Sequence, residues 1–279
     1  MARRLGTLSG QSPQRLRGRG HRRAGIHGAS AAYHLARAGA RVAVLDRLTP
    51  AGGPTGLSSG VCRAYYTNHF LAETARDSMR MMAAFDEIAP GHDAAFRRTG
   101  FLFLHPPQDT TEVTANAEQL NELGIRVEVY QANALRREFP QFELDGIGIG
   151  AFELDAGYAD PAGTTAGVMA GAIAAGATLR SNTPVVEIAP RPGGGAVLRL
   201  GRGEMLEAER LLIAAGPWTA PLTHQLRVDL PLTVERHVVA IARLDHDRAV
   251  PFGHGDLRTG YYCRPEGSNH LPAGLDSRR

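Results

Sequence analysis

The sequence predicts an α/β fold, with helices and strands mixed, around a Rossmann-like parallel sheet. Three features predict it: a glycine turn at residues 25–30 (GIHGAS), an Ala-rich helix directly after it, and an apolar strand at 42–45 (VAVL) that ends in Asp46. Small residues let the backbone approach a diphosphate at a helix N-terminus, and an acid after the next strand accepts hydrogen bonds from a ribose. Asp46 follows Gly28 by eighteen residues, close to the spacing of a dinucleotide-binding motif.

The segment before the glycine turn lacks the expected pattern. RGHRR at 19–23 stands where a dinucleotide-binding fold has a buried apolar strand. Because unpaired charges are costly to bury, we expect these residues not to form a central strand. Residues 1–23 are therefore interpreted as an aberrant arginine-rich leader of irregular structure. One possible coding sequence for 19–23, shifted by one base, reads Val-Val-Ile-Gly, which suggests a frame slip upstream of Ala24.

The charge distribution argues against several classes of partner. All 31 basic residues are arginine, nine of them precede Asp46, and all 28 acidic residues lie from Asp46 onward. The net positive charge of the chain thus comes from its N-terminal leader and not from the rest of the sequence. We therefore expect no nucleic-acid partner. No apolar run approaches the ~20 residues of a membrane span. The two cysteines and the scattered histidines predict a reducing cytoplasm and no metal site.

The rest of the chain alternates between helical and strand-like patterns. Residues 49–60 are rich in Gly, Pro, Ser and Thr and are predicted to be a loop. Apolar periodicity predicts helices at 70–89, 112–123 and 160–175. Short apolar runs predict strands at 101–104, 127–130, 185–188, 196–200 and 210–214. The last strand runs into a second glycine turn, AAGPW at 214–218.

Four segments together carry a resemblance to a known family: GIHGASAAYHLARAGARVAVLDR, GPTGLSSGVCRAYYTN, ELDAGYADPAGTTAGVMAGAIAAGA and LLIAAGPWTAPL. In this order and spacing they resemble the D-amino-acid oxidase-like FAD-dependent oxidoreductases, which include glycine oxidase, monomeric sarcosine oxidase and dimethylglycine dehydrogenase. The resemblance covers roughly residues 24–275. It implies a Rossmann-like FAD-binding domain, 24–90 and 150–222, interrupted by a β-sheet-containing substrate domain, 91–149 and 223–279.

The resemblance also implies that the chain is damaged at its N-terminus and truncated at its C-terminus, before the segment that completes the FAD-binding domain. We therefore expect weak FAD binding or none. In a complete site, the glycine turn would hold the FAD diphosphate, Asp46 its ribose, and the 58–59 loop and the second glycine turn its remaining parts. The implied cofactor-binding residues are Gly25, His27, Gly28, Ser30, Asp46, Arg47, Ser58, Ser59, Val186, Ala215, Gly216 and Trp218.

The implied catalytic residues are Arg63, Tyr66 and His237. Arg63 falls where sarcosine oxidase-like enzymes have an arginine near the flavin ring, followed three residues later by an aromatic side chain. A guanidinium at this place either binds a substrate carboxylate or stabilises negative charge on the reduced flavin, and a solvated loop arginine is the alternative. Pro272 stands at or near the position of the lysine that promotes reaction with oxygen, which favours a dehydrogenase.

The function indicated is oxidation of a C–N bond in a small amine or amino acid, such as sarcosine or glycine, with FAD as cofactor and an unidentified electron acceptor. Two alternatives stay open. The first is a non-catalytic fragment of such an enzyme. The second is a nicotinamide-dependent dehydrogenase, against which the long insertion and the AAGPW turn argue.

Overall fold

The structure is a computed structural model that describes residues 14–15, 19–21, 25–245 and 250–275. It confirms the predicted α/β fold class. The helices of the described residues are α1 (Ile26–Arg37), α2 (His69–Ala83), α3 (Thr110–Glu122), α4 (Ala132–Glu138), α5 (Pro161–Ala174) and α6 (Thr219–Thr223). The strands are β1 (Gln14–Arg15), β2 (Arg19–His21), β3 (Val42–Leu45), β4 (Val61–Cys62), β5 (Arg97–Arg98), β6 (Phe101–His105), β7 (Val127–Gln131), β8 (Ile149–Glu153), β9 (Gly157–Tyr158), β10 (Thr178–Arg180), β11 (Val185–Pro190), β12 (Ala196–Leu200), β13 (Met205–Ala208), β14 (Arg210–Leu212), β15 (Val239–Arg243), β16 (Gly253–Asp256), β17 (Tyr261–Cys263) and β18 (His270–Leu275).

The chain forms two compact units. The first unit comprises Met1–Pro54 and Val168–Thr233, and the second comprises Thr55–Gly167 and Val234–Arg279. Of the residues implied by the family resemblance, Ser58, Ser59, Arg63, Tyr66 and His237 therefore lie in the second unit, and the others lie in the first. The domain boundaries given by the resemblance stay a prediction.

The first unit contains a parallel four-stranded sheet in the order β10-β3-β2-β14. Helix α1 connects β2 to β3, which gives the β-α-β unit that the glycine turn and the VAVL strand predict. All four residues of β3 are buried, as expected for a strand inside a parallel sheet. A second sheet, β1-β13-β12-β11, completes the unit, and Leu45 packs with Ile188, Leu198 and Leu206 in one core.

The expectation that RGHRR at 19–23 forms no central strand is wrong for residues 19–21. Strand β2 lies between β3 and β14, with Gly20 opposite Ala43 on one side and Leu211 on the other. The ladder of a sheet is formed by backbone N–H and C=O groups, so two neighbouring strands can pair a segment of unusual composition. The expectation of irregular structure for residues 1–23 is also wrong for Gln14–Arg15, which form β1 and pair in parallel with β13. The other residues of 1–24 lie outside the described residues. One of the two reasons for expecting weak FAD binding was that this strand would not be fixed, and for residues 19–21 that reason no longer holds.

The second unit contains a seven-stranded mixed sheet in the order β15-β18-β17-β16-β6-β8-β7 and a small sheet, β4-β9-β5. The predicted strand at 101–104 and the helix at 112–123 are confirmed as β6 and α3. The predicted helix at 70–89 ends early, at Ala83. Asn68 caps its start by accepting a hydrogen bond from the N–H of Leu71 at 3.1 Å. No helix in the described part of the chain is long and apolar enough to cross a bilayer.

Candidate cofactor and active site

The carboxyl edge of the parallel sheet gathers several of the implied cofactor residues. Gly25 follows β2, Asp46 directly follows β3, and Ala215 lies three residues after β14. Strands β3, β2 and β14 are adjacent and parallel, so these three positions lie along one edge of the sheet. In open parallel sheets, ligands bind at this edge.

The N-terminus of α1 offers a place for an anionic group. The helix begins at Ile26, and Gly25 before it is extended, with φ −72° and ψ 174°. Gly25, the residue before the helix, has no side chain that could cap it, and the first turn of the helix contains no acidic residue. Gly28 and Ala29 are buried against the sheet. With no acid in the first turn, the positive end of the helix dipole there favours an anionic group such as a diphosphate.

Asp46 is held in place at the end of β3. Its side chain is 5% exposed, and its Oδ1 accepts a hydrogen bond from the N–H of Leu48 at 2.7 Å. Its backbone N–H donates to the carbonyl of Arg180 at 3.0 Å, and its carbonyl accepts from the N–H of Thr183 at 2.7 Å. The carboxylate is thus fixed by the turn that it caps, at the sheet edge where a ribose is expected.

Arg47 and Trp218 contact one another. The guanidinium carbon of Arg47 lies 4.6 Å from the centre of the Trp218 ring, within the range of a cation–π interaction. This contact joins the end of β3 to the second glycine turn, in which Ala215 is buried and Gly216 has a φ of +54°. Glycine adopts this left-handed conformation without the steric cost that a Cβ imposes.

The other implied residues of the first unit are distributed differently. His27 is exposed on α1, and Ser30, one turn further along, is partly buried. Val186 lies in β11 of the other sheet, where a bulge leaves it without a direct partner in β12, and it is 43% exposed. The structure thus places Val186 in a different sheet from the glycine turn and Asp46.

Arg63 and Tyr66 are in contact in the second unit. The guanidinium carbon of Arg63 lies 4.3 Å from the centre of the Tyr66 ring and 5.6 Å from that of Phe103. Its Nη1 donates a hydrogen bond to the carbonyl of Tyr65 at 2.6 Å. Arg63 is only partly buried, so part of the guanidinium fork is directed by these contacts and part is accessible to a ligand.

Glu153, which the sequence analysis missed, supports this segment. It is fully buried in β8, and its carboxylate oxygens accept hydrogen bonds from the N–H of Ala64 at 2.8 and 3.0 Å and from the N–H of Tyr65 at 2.9 Å. Burial raises the pKa of the Glu153 carboxyl to about 7, although the two backbone donors and the charge of Arg63 oppose the rise. Glu153 therefore fixes the backbone between Arg63 and Tyr66 and titrates near neutral pH.

The 58–59 loop is held by a second residue not predicted from sequence, Arg264, which directly follows β17. Arg264 is 8% exposed, its Nε donates to the carbonyl of Ser59, and its guanidinium lies 4.4 Å from the centre of the Tyr158 ring. Ser58 caps the same loop, since its Oγ accepts from the N–H of Gly60 at 3.1 Å. The loop is thus ordered by an arginine more than 200 positions away, which local sequence patterns cannot indicate.

His237 lies apart from strands and helices in an exposed stretch. Its side chain is 50% exposed, and its Nε2 lies 4.0 Å from a carboxylate oxygen of Glu235. A more buried histidine of the second unit is His254, whose Nε2 lies 3.1 Å from the hydroxyl of Tyr261 and 3.3 Å from the Sγ of Cys263. Burial lowers the pKa of His254 to about 4 and raises that of Cys263, so both side chains are uncharged at pH 7. The described residues contain no group of three potential metal ligands.

Comparison with known proteins identifies the family. The family model described as "DAO: FAD dependent oxidoreductase" matches residues 24–278. The chain belongs to this family. Its cofactor is therefore FAD, and the helix N-terminus without an acid, the buried Asp46 and the Arg47–Trp218 pair fit a dinucleotide at the edge of the parallel sheet.

Individual relatives are distant and mostly longer. Over 249 residues the chain is 26% identical to the mitochondrial dimethylglycine dehydrogenase of Rattus norvegicus. This alignment covers 87% of this chain and 29% of the rat protein. It is 27% identical over 256 residues to N-methyl-L-tryptophan oxidase of Salmonella arizonae, covering 90% of this chain and 67% of that one. The L-proline dehydrogenase structure from P. horikoshii superposes with a TM-score of 0.82 at 17% identity, covering 95% and 70% of the two chains. The chain thus spans about three tenths of the length of dimethylglycine dehydrogenase.

Replacement of Asp46 by alanine is expected to weaken FAD binding. Loss of a charge-assisted hydrogen bond to the ribose corresponds to roughly 1–3 kcal/mol, or about a 5- to 150-fold rise in Kd, measured by titration of the apoprotein with FAD. Asp46→Asn separates the two roles of the side chain: its amide oxygen can still accept from the N–H of Leu48, so the turn is kept, while the loss of charge should still weaken FAD binding. An Asp46→Ala protein that binds FAD as tightly as the wild type would remove Asp46 from the site.

Proposed function

We propose that this protein oxidises a C–N bond of a small N-methylated amine or amino acid, and that it acts as a dehydrogenase. The observation that carries the proposal is the match to the FAD-dependent family over residues 24–278. Two relatives support the substrate class, since their names specify dimethylglycine and N-methyl-L-tryptophan. When bound, FAD supplies the two-electron acceptor for a hydride from the carbon next to a neutral amine, and water then hydrolyses the resulting imine.

The residues of the chain would divide the work between binding and orientation. The N-terminus of α1 and Asp46 would hold the diphosphate and the ribose of FAD. Arg63 offers N–H donors to a carboxylate, and its contact with the Tyr66 ring fixes the plane of its guanidinium. Glu153 holds the N–H groups of Ala64 and Tyr65 and so keeps Arg63 oriented.

The proposal is tested by reduction of the bound flavin without oxygen. The purified protein, reconstituted with FAD, is titrated anaerobically with sarcosine, N,N-dimethylglycine and N-methyl-L-tryptophan, and its visible flavin absorbance is followed. We expect at least one of the three amines to bleach the flavin. A flavin-loaded protein that none of them reduces would contradict the substrate class, and a protein that takes up no FAD would contradict the cofactor assignment.

A dehydrogenase is favoured because the chain offers no lysine for reaction with oxygen. Pro272, at or near the position that the resemblance assigns to that lysine, is buried in β18, and its carbonyl accepts from the N–H of Arg264 at 3.1 Å. We therefore expect turnover with an artificial dye as acceptor to exceed turnover with oxygen by about tenfold or more. A tenfold difference in rate corresponds to about 1.36 kcal/mol in barrier height. Both rates are measured on the same preparation, by dye bleaching and with an oxygen electrode. Equal rates would identify an oxidase instead.

A further inference from the structure

A cleft of about 320 Å³ lies within the second unit and is unusually rich in arginine. Helix α2, strand β5 and the residue before β7 each contribute to it, and the acids Glu153 and Asp155 lie on the same wall. Small-molecule sites in proteins begin at about this size. The arginines that line the cleft are Arg76, Arg80, Arg98 and Arg126.

One pair of these arginines shares a single carboxylate outside the cleft lining. Arg76 Nε lies 2.9 Å and Arg80 Nη1 3.3 Å from Oδ1 of Asp77. Arg76 also donates to the carbonyl of Leu123, which orders its side chain. Asp77 thus contacts both guanidinium groups, and the charge of Glu73 also acts on Arg76.

The other pair is arranged in the same way. Arg126 forms a two-pronged contact with Asp155, with Nε 2.8 Å from Oδ2 and Nη2 2.6 Å from Oδ1, and Arg98 Nη1 lies 3.5 Å from the same Oδ1. The hydrogen bonds from Arg126 lower the pKa of Asp155, so it stays ionised at neutral pH. The lining of the cleft thus holds four guanidinium groups and only two carboxyl groups, those of Glu153 and Asp155. Outside the lining, the charge of Glu128 also acts on Arg126.

The ion pairs of Arg80 and Arg98 use only part of the N–H donors of these two guanidinium groups. Each guanidinium carries five N–H groups, and the ion pairs recorded for these two side chains are single contacts of 3.3 and 3.5 Å. Their side chains are 64% and 53% exposed, and such exposed pairs contribute little, so an incoming oxyanion competes with them easily. Met79, Phe96 and Ile125 add an apolar surface to the same cleft.

We propose that this cleft binds a small organic anion, with its carboxylate or phosphate group held by Arg80 and Arg98 and its apolar part against Met79 and Phe96. Four guanidinium groups converge here on a concave site with an apolar wall, and only two carboxyl groups belong to its lining. Glu153 lines the cleft and also accepts hydrogen bonds from the N–H groups of Ala64 and Tyr65. The bound anion would therefore lie next to the carboxyl group that fixes the backbone after Arg63. The site requires neither flavin nor the amine substrate.

Calorimetric titration with two probes tests the site. The full chain is titrated with sodium hexanoate and with sodium phosphate at pH 7 and constant ionic strength. We expect the wild type to bind at least one probe, and the tighter one identifies a carboxylate or a phosphate as the group recognised. Arg80→Gln combined with Arg98→Gln should raise that Kd by about tenfold or more, because charge-assisted hydrogen bonds are lost.

Two further variants keep this test decisive. Arg136→Gln, which removes an exposed arginine of α4 outside the cleft, should leave the Kd within about twofold of the wild-type value. Asp155→Asn should tighten binding, because it removes the anion that competes for Arg98 and Arg126. A wild type that binds neither probe, or an Arg80→Gln/Arg98→Gln protein that binds as tightly as the wild type, would overturn the proposal.

Discussion

Replacement of Arg63 by lysine is expected to lower kcat/KM by about 100-fold, although the positive charge is kept. Arg63 donates to the carbonyl of Tyr65 while its planar guanidinium lies over the ring of Tyr66. An ammonium group is a point donor that cannot stack on the ring, bond the carbonyl and still present a planar fork to a ligand. Loss of one preorganised donor in an active site typically lowers the rate by about 10²–10³.

Steady-state kinetics with the best of the three amines distinguishes the two roles open to Arg63. If Arg63 binds the substrate carboxylate in ground and transition states alike, Arg63→Lys raises KM, whereas stabilisation of charge on the reduced flavin lowers kcat and shifts the flavin midpoint potential. Arg136→Lys on α4 is the matched control and should behave as the wild type. Wild-type kinetics for a folded Arg63→Lys protein would instead assign Arg63 to the solvated surface.

The core of the first unit can be predicted from sequence because its signals are local. The glycine turn, the alanine-rich helix and the VAVL strand all lie within residues 25–45, and the strand is a short continuous apolar run, as expected for a buried parallel strand. The pairing of Arg19–His21 is different, because β3 and β14 supply its partners and the charged composition argues against a strand. Where the backbone of two neighbours is already positioned, tertiary structure overrides local pattern.

The candidate site is predictable only in part, for a similar reason. Arg63 and Tyr66 are three residues apart, so their proximity follows from the chain, but the carboxylate that orders them comes from 89 positions away. One signal for Glu153 was present: Ile149, Ala151 and Glu153 alternate on one face of β8, so an inward position for the acid follows from strand periodicity. Which groups would meet the acid there depends on the pairing of distant strands, which no local pattern contains.

Replacement of Glu153 by alanine is expected to destabilise the protein strongly. The buried N–H groups of Ala64 and Tyr65 would lose their acceptor, at about 1–3 kcal/mol each, against a typical domain stability of about 5–15 kcal/mol. Urea unfolding followed by circular dichroism measures the loss. Glu118→Ala, at an exposed position on α3, is the control and should change the unfolding free energy by less than about 0.5 kcal/mol.

The Glu153→Gln variant tests whether the stability of the protein depends on the protonation of Glu153. A purely steric role of this side chain would give the same pH dependence of the unfolding free energy in both proteins. The folded-state pKa of about 7 lies above the ordinary value of 4.5, so the folded protein holds a proton that the unfolded chain releases. The stability contributed by this proton is complete below pH 4.5 and is lost as the pH rises through 7. Between pH 5 and pH 8 the wild type should therefore lose about 2–3 kcal/mol relative to Glu153→Gln, which does not titrate. Parallel stability curves for the two proteins would mean that Glu153 keeps an ordinary pKa, and that the buried carboxylate holds the Arg63 segment in its charged form throughout this range.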